Sequence, residues 1–291
     1  MPNFFSRNFR RSQRPWFYPL LSCAIAFSLF LGTALPTQAI SWSDLFRVVP
    51  QVVQFVQLSN LSDRQEVEIG QQINNQLLGS EFKLYRNPAV NEYVNQIGQR
   101  LAAKSDRPTL PYKFQIVEDK AVNAFATMGG FVYVTTGLMQ TADNEAQLAS
   151  VIGHEIGHIG GRHLVTQMRE TAIQRGIATA TGLDRSTAVG IGVELALNRP
   201  NSRQAELDAD QRGLQNLRKA GYAPSAMIAF MEKLLKNSSN TPGFLNILST
   251  HPATAERISA LKGKIDPARA NIGDGLSSST YRVRLKAMSG G

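Results

Sequence analysis

The sequence predicts an α+β fold that is mainly helical, with a small β-sheet beside one central helix. Along most of the chain after residue 40, apolar residues recur at the spacing of amphipathic helices. Three short runs between residues 112 and 136 have the pattern of strands instead. The central helix follows at residues 149–163 and carries three of the chain's four histidines. We therefore expect the sheet and this helix to be neighbours.

Residues 1–39 are predicted to be a signal peptide or a membrane anchor. Four arginines precede an apolar run of about 20 residues, which is long enough to span a bilayer if it is not removed. Thr37 and Ala39 fit a small-x-small cleavage site, which favours removal. In either case the rest of the chain is expected to be exported to the periplasm or envelope, possibly associated with the membrane.

The single cysteine, Cys23, lies inside this leader, in a Leu-Ser-Cys-Ala sequence that resembles a lipoprotein cleavage box. Lipidation at Cys23 is therefore an alternative, although the strongest apolar run follows the cysteine where a lipoprotein should become polar. Cleavage after Ala39 would leave no cysteine. Disulfides would then be excluded, and any metal would have to be held by His, Asp and Glu.

The charge of the chain gives no indication of nucleic-acid binding. The formal net charge of +9 includes the four leader arginines, and without them 27 basic residues face 22 acidic ones, a net of +5. Lys and Arg do not cluster between aromatic residues. No nucleic-acid partner is expected.

Residues 40–61 are predicted to be an N-terminal apolar helical segment. The segment would either dock on the core or rest on a membrane surface, and Arg47 as its only basic residue weakens the second interpretation. Amphipathic helices are then predicted over residues 62–78 and 88–103. These begin the main domain, which we assign to residues 62–265.

Strands are predicted at residues 112–117, 122–126 and 131–136, with a Met-Gly-Gly turn between the last two. The pattern is compatible with an ordinary hairpin in a small sheet. A strand with a free edge could also pair with an extended peptide backbone. The sequence does not show which edge is open.

In the central helix, His154 and His158 are four residues apart, so both imidazoles can reach one ion. Glu155 lies beside them, where it can act on a water molecule at that ion. This His-Glu-x-x-His pattern is typical of zinc-dependent peptide hydrolysis. Gly153 and Gly157 each cost roughly 1 kcal/mol in a helix, which suggests that another element packs closely there. We expect the helix to continue through residue 163 to about residue 174.

Residues 177–197 are rich in small side chains and could form two helices or a mobile flap. Helices are predicted over residues 203–220 and 223–236, and a last one after residue 252 runs through residue 261. Residues 266–291 are predicted to be a polar C-terminal tail, with a short alternation of Tyr281, Val283 and Leu285.

Two residues are candidates for a third zinc ligand. His163 is five residues after His158 and would lie about 140° around a continuous helix, so it should point away unless the helix breaks. Glu206 and Asp210 are four apart and share a helical face. One carboxylate could bind the metal while the other orients a ligand imidazole. A solvated salt-bridge face is the ordinary alternative, but the upstream motif favours Glu206.

Taken together, the motifs resemble metallopeptidase family forty-eight, a gluzincin family with a zincin-like fold. Three motifs occur in order, namely His154-Glu155-x-x-His158, Glu206-x-x-x-Asp210, and His251-Pro252 followed by Arg257. The resemblance implies that His154, His158 and Glu206 bind one zinc ion per chain and that Glu155 is the general base. Asp210 and Arg257 would support them, and His163 would be structural. His251 would stabilise the oxyanion or occlude the metal at rest.

The resemblance also assigns the region of Asn123, Ala124 and Phe125 to a substrate-binding edge strand. It implies a zinc metalloendopeptidase of the cell envelope that cleaves unfolded or misassembled proteins. Expected partners are unfolded or membrane-associated polypeptides and possibly a membrane surface. Multiple membrane spans are lacking, so prenylated substrates are not expected. The alternative is a non-proteolytic chaperone or assembly factor that holds client proteins in the groove where a peptidase would bind its substrate.

Overall fold

The computed structural model describes residues 55–177, 182–198, 201–237, 245–252 and 255–288. The predicted leader, Cys23 and residues 40–54 lie outside the described residues. Among the residues described, no helix is both long enough and apolar enough to cross a membrane.

The described chain alternates short strands with longer helices. The strands are β1 (Phe55–Val56), β2 (Lys113–Val117), β3 (Ala124–Ala126), β4 (Phe131–Thr135) and β5 (Leu183–Asp184). The helices are α1 (Asp63–Gln76), α2 (Pro88–Ala102), α3 (Thr136–Thr141), α4 (Glu145–Gly160), α5 (His163–Gln174), α6 (Arg185–Asn198), α7 (Arg203–Lys219), α8 (Ser225–Asn237), α9 (Leu245–Thr250), α10 (Ala255–Lys264) and α11 (Ser278–Leu285). The predicted mainly helical α+β fold is confirmed.

The main sheet has three strands in the order β2-β4-β3. β2 runs parallel to β4, and β3 runs antiparallel to it, with Phe125 opposite Tyr133. The tight connection from β3 to β4 needs Gly129 and Gly130, whose φ angles are 76° and 97°. The outer edge of β2 is bridged by Leu84. That bridge is at Val117 only, and within the described residues the outer edge of β3 pairs with no strand.

Helix α4 occupies the centre of the domain, with every residue from Ala146 to Ile159 buried. Asn144 begins it, because its side chain accepts a hydrogen bond from the backbone N–H of Gln147. Ser202 caps α7 in the same way through the N–H of Ala205. Local sequence thus sets the start of both helices that carry the candidate site.

Glycines allow α4 and α7 to approach at backbone distance. A Cβ atom at Gly157 would lie 2.6 Å from the carbonyl oxygen of Ala209, and one at Gly213 would lie 2.9 Å from the backbone nitrogen of His154. A Cβ at Gly153 would lie 3.3 Å from the carbonyl oxygen of Gly213. The close packing expected from the two helical glycines is present, and the neighbour is α7.

Three predicted features differ in the structure. The central helix is interrupted after Gly160, since Arg162 takes a left-handed conformation (φ 52°) and α5 begins at His163. The part of the predicted N-terminal helical segment that is described includes the strand β1, which pairs with β5. Residues 183–198 form the short strand β5 and the single helix α6, rather than the two helices or the flap considered from the sequence.

The predicted tail is part of the domain over its described length. Tyr281 lies on α11, is 2% exposed, and donates a hydrogen bond to the carbonyl oxygen of Met139. Asp274 exchanges backbone hydrogen bonds with Gly221 and Ala223. The residues Tyr281, Val283 and Leu285, which alternate in the sequence, thus belong to a helix. Tyr281 is its buried residue and connects the helix to α3.

We expect Gly157→Ala to lower the free energy of unfolding by about 1–3 kcal/mol, because the added methyl group would collide with backbone that cannot rotate away. The measurement is the urea unfolding midpoint. Gly190→Ala in α6 is the matched control, since a Cβ there meets no atom within 4 Å. That control should be neutral or stabilising by up to about 1 kcal/mol. Equal midpoints for the two variants would contradict the close approach of α4 and α7.

Candidate metal centre

Two helices bring the predicted donor atoms to one point. On α4, His154 Nε2 and His158 Nε2 lie 3.0 Å apart. From α7, Glu206 Oε1 lies 3.3 Å from His158 Nε2, and Oε2 lies 3.5 Å from His154 Nε2. All three side chains are buried. The favoured third candidate is thus next to the two histidines.

His251 adds a fourth donor to this group. Its Nδ1 lies 3.3 Å from His154 Nε2 and 3.0 Å from Glu206 Oε1. One ligand atom from each of the four residues lies within 4.8 Å of the others. Because His251 is directly before Pro252 and after α9, it enters the site from a separate part of the chain.

The spacing of the donors fits a zinc ion. Zinc binds nitrogen and carboxylate oxygen at about 2.0–2.2 Å, and two corners of such a tetrahedron are about 3.3 Å apart. Five of the six donor pairs here are separated by 3.0–3.5 Å, and all four donor atoms lie within 4.8 Å of one another. A donor set of imidazoles and one carboxylate is also characteristic of zinc sites. The four residues could therefore hold one ion between them.

Asp210 and Arg257 are buried and contact this group from the Nδ1 side of His154. Asp210 Oδ1 lies 2.9 Å from His154 Nδ1. Arg257 Nε and Nη2 each donate to one oxygen of Asp210 at 2.7 Å, while Nη1 lies 2.5 Å from Glu206 Oε2. This arrangement leaves His154 Nε2 facing the other donors. It is the contact expected of a carboxylate that orients a ligand imidazole.

These contacts shift the pKa values of the buried groups. Burial opposes charge on His154, but Asp210 and Glu206 outweigh it and raise the pKa of His154 to about 10. Burial lowers the pKa of His158 to about 3. Burial would raise the pKa of Glu206, yet the surrounding imidazoles hold it well below its usual range. Glu206 is therefore ionised, and a metal that binds here displaces a proton from His154.

His163 is at the site after all, contrary to its expected direction. The break at Arg162 starts a new helix, which turns His163 back so that its Nδ1 lies 2.8 Å from His158 Nδ1. On its other side, His163 Nε2 lies 3.1 Å from Asp208 Oδ2, which also accepts from Arg212. His163 was expected to point away from the metal unless the helix breaks. The helix does break, and His163 points toward the site.

This hydrogen-bond chain assigns the tautomers of both histidines. An ionised carboxylate only accepts, so His163 Nε2 carries a proton and donates to Asp208. Burial lowers the pKa of His163, which keeps its Nδ1 bare as an acceptor. His158 Nδ1 must then donate, and this leaves a free lone pair on His158 Nε2, toward the other donors. Asp208 was missed from sequence because it lies two residues from Glu206, on another side of α7.

Glu155 lies beside the donors without joining them. Its carboxylate is 2% exposed, and Oε1 lies 3.7 Å from His251 Nε2. It borders two cavities, one on each side of the site. A carboxylate in this place can exchange a proton with a molecule that reaches the donor group.

The first cavity, which we call the strand-side cavity, lies between β3 and α6. It encloses about 560 Å³, part of which is open to solvent, and is lined by Phe125, Ala126, Met128, Leu195, Ala196 and others. Asn201 also borders it, with Nδ2 3.5 Å from His251 Nδ1. Of the three predicted edge-strand residues, Phe125 lines this cavity, while Asn123 and Ala124 do not. The usable part of the edge is shifted toward the end of β3.

Residues 88–265 match the family model described as peptidase family M48. The chain belongs to this family. The match includes every candidate donor and Glu155, and it confirms the family resemblance found in the motifs. It also supports the predicted enzyme class, a zinc metalloendopeptidase.

Several relatives are similar to the chain over most of its length. The beta-barrel assembly-enhancing protease of Escherichia coli (strain K12) is 32% identical over 234 residues, which is 74% of this chain and 46% of that protein. The mitochondrial metalloendopeptidase OMA1 of Arabidopsis thaliana is 33% identical over 59% of this chain and 34% of its own length. The metalloprotease LoiP of Escherichia coli (strain K12) is 29% identical over 72% of this chain and 84% of its own. The chain spans a little under half the length of the assembly-enhancing protease.

We expect His163→Ala to weaken zinc binding by about 10–100-fold, because His158 loses the acceptor that orients it. Competition with a chelator of known affinity measures the change. His163→Asn is the matched variant, since its amide oxygen can accept the same hydrogen bond and should restore part of the affinity. Equal zinc affinity in the alanine variant and the unmodified chain would show that this contact does not position His158.

Proposed function

We propose that this M48 family member is a zinc-dependent endopeptidase of the cell envelope that cleaves unfolded or misassembled polypeptides. The observation that carries the proposal is the buried donor group of His154, His158 and Glu206 with Glu155 beside it. A metal centre for structure alone would not need a carboxylate facing two open cavities. That combination favours hydrolysis at the metal.

In the proposed mechanism, His154, His158 and Glu206 hold the zinc ion, with Asp210, Arg257 and His163 orienting them. When bound, zinc supplies a Lewis acid that activates water and polarises the scissile carbonyl. Glu155 accepts a proton as the water oxygen bonds to the carbonyl carbon. It then delivers that proton to the amine when the C–N bond breaks, so one water is consumed for each peptide bond.

The unpaired edge of β3 supports extended, sequence-independent binding of the substrate. The carbonyl oxygen of Asn123 accepts from the backbone of β4, and the N–H of Thr127 donates to it. By alternation, the N–H and C=O groups of Ala124 and Ala126 point away from β4. Ala126 lies on the strand-side cavity. A backbone that pairs there would lie across Glu155. Only an unfolded or locally extended chain can offer such a backbone.

His251 could regulate access to the centre. Its Nδ1 lies 3.3 Å from His154 Nε2 and 3.0 Å from Glu206 Oε1, similar to the spacing of the predicted ligands. This favours the occluding role over the oxyanion role for the arrangement described here. Substrate binding would then require His251 to move away, which would keep basal activity low.

The location in the envelope rests on the predicted leader and on one kind of relative. Residues 1–39 have the pattern of an export signal. One relative is named for enhancing β-barrel assembly. Unfolded or membrane-associated polypeptides are the proposed substrates, and contact with a membrane surface is part of the same proposal.

A chaperone or assembly factor that binds clients in the same groove is the second candidate. The position of His251 favours it, because a closed donor group would leave the groove able to bind but slow to cleave. The two functions differ in their dependence on Glu155.

Glu155→Gln should abolish cleavage of unfolded casein and retain one zinc per chain, because the amide cannot accept the proton and Glu155 is not among the converging donors. Casein digestion and metal analysis are the two measurements. Digestion by the unmodified protein should stop when a chelator is added. Normal turnover by the glutamine variant would refute the general-base role, whereas client binding without digestion in both proteins would favour the chaperone.

Glu206→Ala should lose the bound zinc, since one donor disappears and Arg257 is left beside the remaining histidines. Metal content after dialysis measures this result. Glu194→Ala is the control, because Glu194 lies half-exposed on α6. An unchanged zinc stoichiometry in Glu206→Ala would show that His251 replaces Glu206 as the third ligand.

A further inference from the structure

We propose that Glu66 is a positioning residue for the metal centre, because it holds the break between α4 and α5 that directs His163 toward His158. Glu66 lies on α1, is 1% exposed and is not one of the converging donors. This inference rests on the proposed zinc centre and adds a residue that controls its geometry. It does not require that the centre cleaves peptides.

The break between α4 and α5 depends on an unfavourable backbone conformation. Arg162 has a φ of 52°, and among the described residues it is the one residue other than glycine with a positive φ. This left-handed conformation is disfavoured for any residue with a Cβ atom. A continuous helix would instead turn His163 about 140° away from His158. Contacts from another part of the fold are therefore needed to favour the break.

Two acids of α1 hold Arg162 in this conformation. Arg162 Nη2 lies 2.7 Å from Asp63 Oδ1, and its Nε lies 3.2 Å from Glu66 Oε2. Its Nη1 donates to the carbonyl oxygen of Leu61, just before α1, at 3.1 Å. The side chain of Asp63 is 53% exposed, whereas that of Glu66 is buried. The ion pair with Glu66 is therefore the less screened of the two.

Arg107 joins the same two acids to the end of α4. Its Nη1 donates to Glu66 Oε1 at 2.8 Å and to the carbonyl oxygen of Ile159, in the last turn of α4, at 3.1 Å. Its Nη2 donates to Glu66 Oε2 at 2.8 Å and to Asp63 Oδ1 at 2.7 Å. Both oxygens of the Glu66 carboxylate are thus bound by guanidinium groups that contact the break.

The Glu66 carboxylate is the centre of this cluster. It faces two arginines, and the side chain of Arg107 is only 11% exposed. Without the charge of Glu66, the two guanidinium groups would share the half-exposed Asp63 alone. Loss of one member of a buried ion pair leaves an uncompensated charge. The break would then be held less firmly.

The effect of Glu66 reaches the metal centre along the chain. α5 begins at His163, directly after Arg162, and His163 Nδ1 lies 2.8 Å from His158 Nδ1. A shift at the break therefore moves the acceptor that orients His158. Glu66 acts on the predicted ligand through Arg162 and His163.

The same part of α1 contacts the turn between β3 and β4. A Cβ atom at Gly70 would lie 2.1 Å from the carbonyl oxygen of Met128, and one at Gly129 would lie 2.8 Å from the carbonyl oxygen of Glu66. The backbones of α1 and this turn are thus in direct contact. Glu66 therefore joins the metal helix to the strands that border the strand-side cavity.

Glu66→Gln should weaken zinc binding by about tenfold, because the amide cannot neutralise two arginines and His163 is held less firmly. The zinc affinity of the full chain is measured by competition with a chelator of known affinity. Glu68→Gln is the matched control, since Glu68 also lies on α1 but forms surface ion pairs. Tyr281→Phe loses a buried hydrogen bond on α11 and controls for a general loss of stability. Both controls should bind zinc like the unmodified chain.

A double variant tests the route of the effect. His163→Ala removes the contact through which Glu66 is expected to act, so adding Glu66→Gln should weaken zinc binding by less than about twofold more. Effects that multiply would show another route and overturn the inference. Unchanged zinc affinity in folded Glu66→Gln would also overturn it. Zinc binding without cleavage would refute only the proposed peptidase function, whereas no zinc binding by the unmodified chain would refute both.

Two variants of Arg162 test the break without changing Glu66. Arg162→Ala and Arg162→Gly lose the same ion pairs, but glycine adopts a positive φ freely. We expect the alanine variant to bind zinc about tenfold more weakly than the unmodified chain and the glycine variant to recover about threefold of that loss. Circular dichroism and the unfolding midpoint show that each variant is folded. Equal zinc affinities in the two folded variants would overturn the role of the break.

Discussion

The contact on which the rest of the structure depends is the approach of α4 to α7. Three glycines remove the side chains that would hold the two helices apart, and the backbones meet at Gly153, Gly157 and Gly213. Helices with larger residues at a contact pack 8–10 Å apart. With the two backbones in contact, the carboxylate of Glu206 lies 3.5 Å from His154 Nε2 and 3.3 Å from His158 Nε2. The glycines lower the intrinsic stability of the two helices, but they allow the close packing that brings the donor atoms together.

Because the centre is buried, its charged groups need partners of opposite charge. Glu206 and Asp210 are both ionised carboxylates inside the domain, and Arg257 contacts both of them. Removing one partner of such a buried group leaves an uncompensated charge, which costs about 3–5 kcal/mol. Arg257 comes from α10, so the C-terminal helices neutralise a charge that α7 introduces. The centre and the packing of α10 are therefore coupled.

Glu155 is placed between two unlike surfaces. On one side, the strand-side cavity ends at an unpaired backbone edge, which can bind any extended chain. On the other, a second cavity is bordered by Met227, Phe230 and Leu234 of α8 as well as by polar side chains. Glu155 therefore lies between unpaired backbone groups on one side and apolar side chains on the other. His251 borders both cavities, so its position affects both kinds of contact.

The sequence by itself determined most of the helical and strand pattern, and it made His154, Glu155, His158 and Glu206 candidates, because these follow largely from spacing within single elements. The family followed instead from a resemblance across three separated motifs. Only the tertiary structure decided the place of His163, since its direction depends on one left-handed residue, Arg162, that no periodicity indicates. It also decided that His251 joins the donors, that Tyr281 is core, and that β3 has the open edge. Each of these depends on contacts between residues far apart in the chain, whose distances local sequence does not contain.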